Sequence, residues 1–358
     1  NNVMEKKTLF SEQTVKIGPD SGYDNYIMAI ESSCDETACA IVKNGREVVA
    51  NVVASQIKTH EKFGGVIPEI AAREHLDAIN IIVQEAFEQS GLKPEQITAF
   101  AGTVGPGLVG CLLVGLNAAK TLALVHDKPF IGVNHLNAHL CGNYIDTDIK
   151  PPFMALLVSG GHTQIIDVES YSKQTILGET IDDAVGEAYD KVARLIGLPY
   201  PGGPRLDKLA QVGNPKAYEL PEGKVDGYNF SFSGLKTAVL RLVKKLKTEY
   251  CTEECPELPE NVIQDICASF QEDVSKTLVK KLKKATQERG YKQVVIAGGV
   301  AANSEIRKKV FNLEKDGYRV NAPAMKFCTD NAAMVASCAY FNTNTFDDID
   351  VEVFSRVK

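Results

Sequence analysis

The chain opens twice in the same way, and this internal repeat limits the fold more than any other feature. Residues 26–30, then Glu31-Ser32-Ser33-Cys34-Asp35-Glu36-Thr37, then residues 38–42 read as strand, small polar turn and strand. Residues 153–158, then Ser159-Gly160-Gly161-His162-Thr163, then residues 164–168 repeat that plan. An amphipathic helix follows each opening, with Leu76, Ile79, Val83 and Phe87 on one face of the first and Ile263, Ile266, Phe270 and Val274 on one face of the second. Gly91 and Gly290 stand where those helices would stop. Next, in each half, a short apolar strand (97–101 or 293–297) runs into glycines (102–107 or 298–303) and on into a helix. A chain of this pattern is a diverged duplication of one α/β unit. Glycine turns between strand and helix aim backbone N–H groups at a ligand, and the helix N-terminus favours an anion there. Two such halves facing each other would make a nucleotide cleft.

The second half also carries an insertion, about residues 176–255, that reads as substrate-specific decoration. It includes the turn-rich Leu198-Pro199-Tyr200-Pro201-Gly202-Gly203-Pro204 and a basic amphipathic helix over 236–247, whose lysines suit a solvated face. The acidic loop 248–260 follows, with Cys251 and Cys255 unassigned. The expected division is an N-terminal extension 1–23, an N-terminal lobe 24–150, a C-terminal lobe 151–345 holding the insertion, and a tail 346–358. The length of 358 residues suits two lobes rather than one small core.

No apolar run approaches the roughly 20 residues of a membrane span, so no membrane partner is expected. Nine cysteines without paired spacings point to a reducing compartment. A net charge of −7 excludes a protein clothed in positive potential, so a nucleic acid would have to meet a local basic patch or a partner's surface. Residues 1–23 lack an apolar core and carry acidic residues, which disfavours a secretory signal or an organelle transit peptide.

His135 and His139 are four apart and would share one face of a helix, the geometry of a metal-binding pair. Asp330, ahead of the last helix, is a candidate third ligand that would leave coordination sites open for substrate or water. Spacing alone equally allows a buried pair satisfied by backbone carbonyls. The 159–163 turn suits phosphate contact, with a tight hairpin as its plainer reading. The acidic stretch from Glu179 to Asp190 is explained on composition by a capped, solvated helix start. No Walker lysine loop, G-x-S-x-G elbow or H-E-x-x-H helix is present, and Gly102, Gly105 and Gly107 match a dinucleotide fingerprint only loosely.

With residues 63–69, 200–204, 230–236 and 328–331 added to the segments already quoted, the chain from about 26 to 345 resembles the TsaD family of tRNA threonylcarbamoyltransferases, also called the glycoprotease family. The resemblance implies a duplicated actin-like, sugar-kinase-like (ASKHA) ATPase fold, two lobes around a nucleotide cleft. It implies transfer of a threonylcarbamoyl group from threonylcarbamoyl-AMP to N6 of the adenine 3′ of the anticodon in ANN-decoding tRNAs, with release of AMP. Carried over residue by residue, His135, His139 and Asp330 would hold one divalent ion, iron(II) or zinc. Val158, Ser159, Gly160, Gly161, His162, Asp190, Gly203, Asp207 and Asn303 would hold the adenylate, and ATP or AMP would fit the same site. His162 stands where the family also has Asn.

No catalytic base is identified; Asp35 and Glu36 are the candidates. The implied partners are tRNA, an inactive paralogue of the same fold (TsaB-like) and a small P-loop ATPase (TsaE-like), with a homodimer left open. A bacterial cytoplasm is expected, with the mitochondrion as the alternative. A metal-dependent peptidase, a nucleotide-holding scaffold and a small-molecule kinase are rival readings, and none accounts for the whole motif set.

Overall fold

A computed structural model describes residues 3–221, 223, 225–341, 345–346 and 349–356. By packing the chain forms two compact units, residues 1–151 with 170–173 and 323–358, and residues 152–169 with 174–322. This division is not linear along the chain.

The first unit is built on a six-stranded sheet. In spatial order its strands are Glu47–Ser55, Glu36–Lys43, Tyr26–Glu31, Ala99–Gly105, Phe130–Asn134 and Thr345–Phe346. The central strand Tyr26–Glu31 is antiparallel to Glu36–Lys43 and parallel to Ala99–Gly105. Met28, Ile30, Cys39, Ile41 and Phe100 form one cluster with Ile79, Ile82 and Leu116 from the helices Pro68–Ser90 and Val109–Val125. The alternating residues Ile27, Ala29, Ala38 and Ala40 take the opposite face, as the period of a strand requires. There the helix Ala332–Phe341 packs with every residue buried, which suits its apolar character all round.

The second unit repeats the order. Its five strands run Lys173–Glu179, Thr163–Ser170, Phe153–Val158, Gln293–Ala297 and Arg319–Asn321, again antiparallel on one side of the central strand and parallel on the other. Counted in chain order within each unit, five strands of both sheets follow the order 3-2-1-4-5. The long helix Glu260–Arg289 packs on the central strand and on the helices Gly202–Ala210 and Ser304–Phe311. Both long helices end at the expected glycines, Gly91 at φ 66° and Gly290 at φ 68°, in the left-handed region.

Two expectations change. Leu76 is 61% exposed, and the buried stripe of its helix runs through His75, Ile79, Ile82 and Ala86. His75 can take the inward place because its ring is fully bonded, with Nδ1 2.7 Å from Thr37 Oγ1 and Nε2 2.8 Å from the Cys34 carbonyl. The first glycine run is not a turn, because the strand continues to Gly105 and the turn falls at 106–108. A Cβ at Gly102 would lie 3.1 Å from that of Ala119, so this glycine serves close helix packing. The N-terminal stretch, expected as an extension, contains a hairpin of Met4–Lys7 and Thr14–Ile17. It is anchored by the N–H groups of Phe10 and Ser11 on Asp127. No helix among the described residues is long and apolar enough to cross a membrane.

Candidate metal centre and phosphate turn

His135 and His139 lie on the short helix His135–Cys141, started by Asn134, whose side-chain oxygen accepts from the N–H groups of Leu136 and Asn137. Asp330 arrives from residues 323–331, where buried Asn331 pins the backbone by donating to Phe327 and Thr329 carbonyls and accepting from Met334 N. His135 Nε2 is 3.2 Å from His139 Nε2 and 3.4 Å from Asp330 Oδ1, and His139 Nε2 is 3.1 Å from the same oxygen. Ligands at ~2.0–2.1 Å from one ion in tetrahedral arrangement stand about 3.3–3.4 Å apart, so this spacing fits a single divalent ion. The donor set, two imidazoles and a carboxylate, suits iron(II) or zinc chemically.

The charges around the pair act on one another. Burial works against a charge on His135, but Glu31 and Asp330 beside it outweigh burial and raise it to about 9. Burial would raise Asp330, yet His135 and His139 hold it down at about 2. Glu31 was not foreseen as a site residue. Its carboxylate is wholly buried and its Oε2 lies 3.1 Å from His135 Nδ1.

Asp35 lies in the adjoining turn and Glu36 opens the next strand, Glu36–Lys43. Burial, reinforced by the Asp330 charge, raises the Asp35 carboxyl above its ordinary value. Burial pushes Glu36 up to about 7 in spite of a hydrogen bond from Ser55, with Asp35 and Asp330 adding to the effect. One Glu36 oxygen accepts from Ser55 Oγ at 2.9 Å, and the other is buried without a hydrogen-bond partner among the described residues. A carboxyl poised near neutrality can take up a proton at working pH.

In the second unit Val158 ends its strand and the chain reverses at once, Ser159 N donating to the His162 carbonyl at 2.8 Å while Ser159 Oγ accepts from His162 N at 3.0 Å. The turn rests on the start of the helix Val185–Leu195, where a Cβ at Gly186 would strike Ser159 O at 2.6 Å. Beside Gly160 and Gly161 the space is open, with no atom within 4 Å of an added Cβ. The protein's own packing therefore does not demand those two glycines, whereas a ligand approaching the backbone would.

Asp190 Oδ1 accepts from Gly203 N at 3.0 Å. Asp207 accepts from Ser304 N at 3.0 Å, Ser304 Oγ at 2.6 Å and Gln271 Nε2 at 2.9 Å. Asn303 caps the helix Ser304–Phe311 through Oδ1 and donates Nδ2 to Gln271 Oε1 at 2.8 Å, so its amide is engaged within the protein. Tyr189 OH donates to the same Gln271 oxygen at 3.1 Å. Asp207 and Asn303 are thus joined through Gln271, which the sequence reading passed over. Its signal was a polar residue beside Phe270 on an apolar helix face.

Comparison with known proteins gives these groups their setting. A family model described as TsaD, tRNA N6-adenosine threonylcarbamoyltransferase, matches residues 47–337. A Microcystis aeruginosa protein called tRNA N6-adenosine threonylcarbamoyltransferase is 49% identical over 343 residues, covering 92% of this chain and 96% of its own. Proteins of the same description from Clostridioides difficile, at 49% identity with 89% and 93% coverage, and from Nostoc punctiforme, at 52% with 87% and 90%, match comparably. Among solved structures, full-length HypF in the phosphate- and nucleotide-bound form aligns with TM-score 0.59 at 13% identity, over 95% of this chain and 47% of HypF. HypF of T. kodakarensis gives 0.61 at 14%, over 89% and 48%. Those two likenesses are of fold alone. The sequence matches, close to half identical over nearly the whole length, establish that the chain belongs to the TsaD family of tRNA N6-adenosine threonylcarbamoyltransferases.

Proposed function

We propose that this transferase moves the threonylcarbamoyl group from threonylcarbamoyl-AMP to N6 of the adenine 3′ of the anticodon in ANN-decoding tRNAs. The observation that carries the reading is the convergence of His135, His139 and Asp330 within 3.1–3.4 Å of one another, in a chain about half identical to proteins named for this activity. The common strand order of the two sheets and the likeness to HypF support a duplicated actin-like (ASKHA) plan.

His135, His139 and Asp330 would hold one iron(II) or zinc ion, which when bound supplies a Lewis acid for a carbonyl or carboxylate oxygen. The 158–162 turn, with open space at Gly160 and Gly161, would take the AMP phosphate on backbone N–H groups, and Asp190, Gly203, Asp207 and Asn303 would set the rest of the nucleotide. The N6 amine attacks the carbamoyl carbon, the bond from that carbon to the phosphate oxygen breaks, and AMP leaves with its electron pair. The amine then loses one proton, for which Glu36, near 7, and Asp35 are the candidate acceptors. An aryl amine is a weak nucleophile, so alignment carries much of the acceleration; proximity effects reach about 7–11 kcal/mol. The adenine lies in an unpaired loop and can be splayed out for the enzyme.

Bacterial relatives support a cytoplasmic setting, and the family resemblance implies, as working partners, a TsaB-like paralogue and a TsaE-like ATPase. The test is transfer of labelled threonylcarbamoyl from its adenylate to an ANN-decoding tRNA transcript, with wild type and His139→Ala, with and without those partner proteins. Transfer by wild type and its loss in the variant are expected. Absence of transfer by wild type in every arrangement would overturn the enzymatic reading.

A further inference from the structure

We infer that Glu31 is the positioning residue of the metal centre, fixing the tautomer and the ring orientation of His135. The inference rests on the metal reading above and adds a residue to it.

Glu31 ends the apolar strand Tyr26–Glu31 and is 0% exposed. A carboxylate buried that deeply without partners would be costly, and here each oxygen has its own donor. Oε1 accepts the Ser33 backbone N–H at 2.6 Å, and Oε2 accepts the Thr103 hydroxyl at 2.5 Å. The remaining capacity of Oε2 faces His135 Nδ1 at 3.1 Å. An ionised carboxylate has nothing to donate, so Nδ1 must carry the hydrogen of that contact.

With Nδ1 protonated, the lone pair of the neutral ring sits on Nε2, the atom directed at His139 Nε2 and Asp330 Oδ1. One hydrogen bond therefore decides which nitrogen is offered to an ion. The ring is further held from the side by Ser33 Oγ, 3.4 Å from Nδ1. Glu31 itself is rigidly placed, because Thr103 comes from the neighbouring parallel strand and Ser33 from the turn just after. Among the described residues His139 has no equivalent carboxylate, and its buried Nδ1 makes no hydrogen bond. Orientation of the pair is thus concentrated on the His135 side.

Loss of such an outer partner usually lowers metal affinity 10–100-fold. Zinc and cobalt(II) affinities should be measured by chelator competition on the full chain, wild type against Glu31→Gln, with the cobalt(II) absorption spectrum recorded for each. Glu31→Gln keeps the shape but presents an N–H₂ to groups that also donate. The inference expects one ion per chain in wild type, a 10–100-fold weaker affinity in the variant and an altered cobalt spectrum. Should Glu31→Gln fail to fold, Thr103→Val, which leaves the carboxylate but removes its 2.5 Å donor, is expected to weaken cobalt binding several-fold. Wild-type affinity and spectrum in a folded Glu31→Gln, or in Thr103→Val where only that variant folds, would overturn the role of Glu31 and leave the metal centre standing. A wild type that binds neither ion would overturn the metal reading and this inference with it.

Discussion

The two units anchor their functional groups by opposite means. In the first, a buried carboxylate, Glu31, backs a histidine, and the whole cluster of Glu31, His135, His139 and Asp330 is organised by charge. In the second, a buried neutral amide, Gln271, joins Asp207, Asn303 and Tyr189, accepting two hydrogen bonds and donating one. In the first cluster buried carboxylates face imidazoles, whereas in the second Gln271 itself adds no charge between Asp207 and Asn303. An amide arranges its neighbours without biasing the field.

That contrast can be broken most forcefully at His139. His139→Ala should abolish stoichiometric metal binding and lower transfer on the order of 10³-fold, as expected where several kcal/mol of charge stabilisation are lost. Nucleotide affinity, followed by titration with AMP, should stay within about twofold if the units anchor their ligands independently. Gln271→Leu makes the reverse test. It strands the Asn303 amide and the Tyr189 hydroxyl, costing about 1–3 kcal/mol of stability by chemical denaturation and weakening AMP binding, with zinc affinity untouched. A fall in zinc affinity there would show the two centres to be one network.

A smaller effect comes from Glu36, against which no cation stands among the described residues. The Glu36 carboxyl stands at about 7 in the folded protein, well above its unfolded value of 4.5. The folded state therefore retains the proton longer, and the stability this gives is full below about 4.5 and is lost as pH rises through 7. Glu36→Gln should melt like wild type at pH 5 and at a higher temperature than wild type at pH 8. Equal melting at both values would show that this carboxylate is solvated. The smallest effect is expected at Leu76, where replacement by Ser on the exposed side of its helix should change stability by under about 0.5 kcal/mol, against about 2–5 for Ile79→Ala.

The legibility of these features follows how local their signals are. The repeated strands and the helix-stop glycines could be read because each is a pattern within ten or so residues. The histidine pair was equally local. Asp330 stands some 190 residues away, and only the family resemblance tied it to that pair with conviction. Leu76 misled because the helix is turned by one position to seat His75, a polar group whose bonds to Thr37 and Cys34 depend on tertiary structure. Gly102 misled because glycine marks both turns and close helix contacts. Glu31 and Gln271 were missed for a common reason. A polar residue closing an apolar strand or helix face looks like a boundary, and only the arrival of Thr103, His135, Asp207 and Asn303 from elsewhere shows it to be a junction.

The discontinuous first unit has a consequence for birth on the ribosome. Domains emerging from the N-terminus usually fold first, but here the first unit lacks Asp330 and the wholly buried helix Ala332–Phe341 until residues 330–341 have been made, after the whole of the second unit. The second unit has all its strands and helices once residue 322 has cleared the exit tunnel. Synthesis should therefore complete the second unit, proposed to hold the nucleotide, before the first, proposed to hold the metal. Released chains truncated shortly after residue 322 should show this as protease resistance confined to the second unit, without ion loading, since Asp330 is missing.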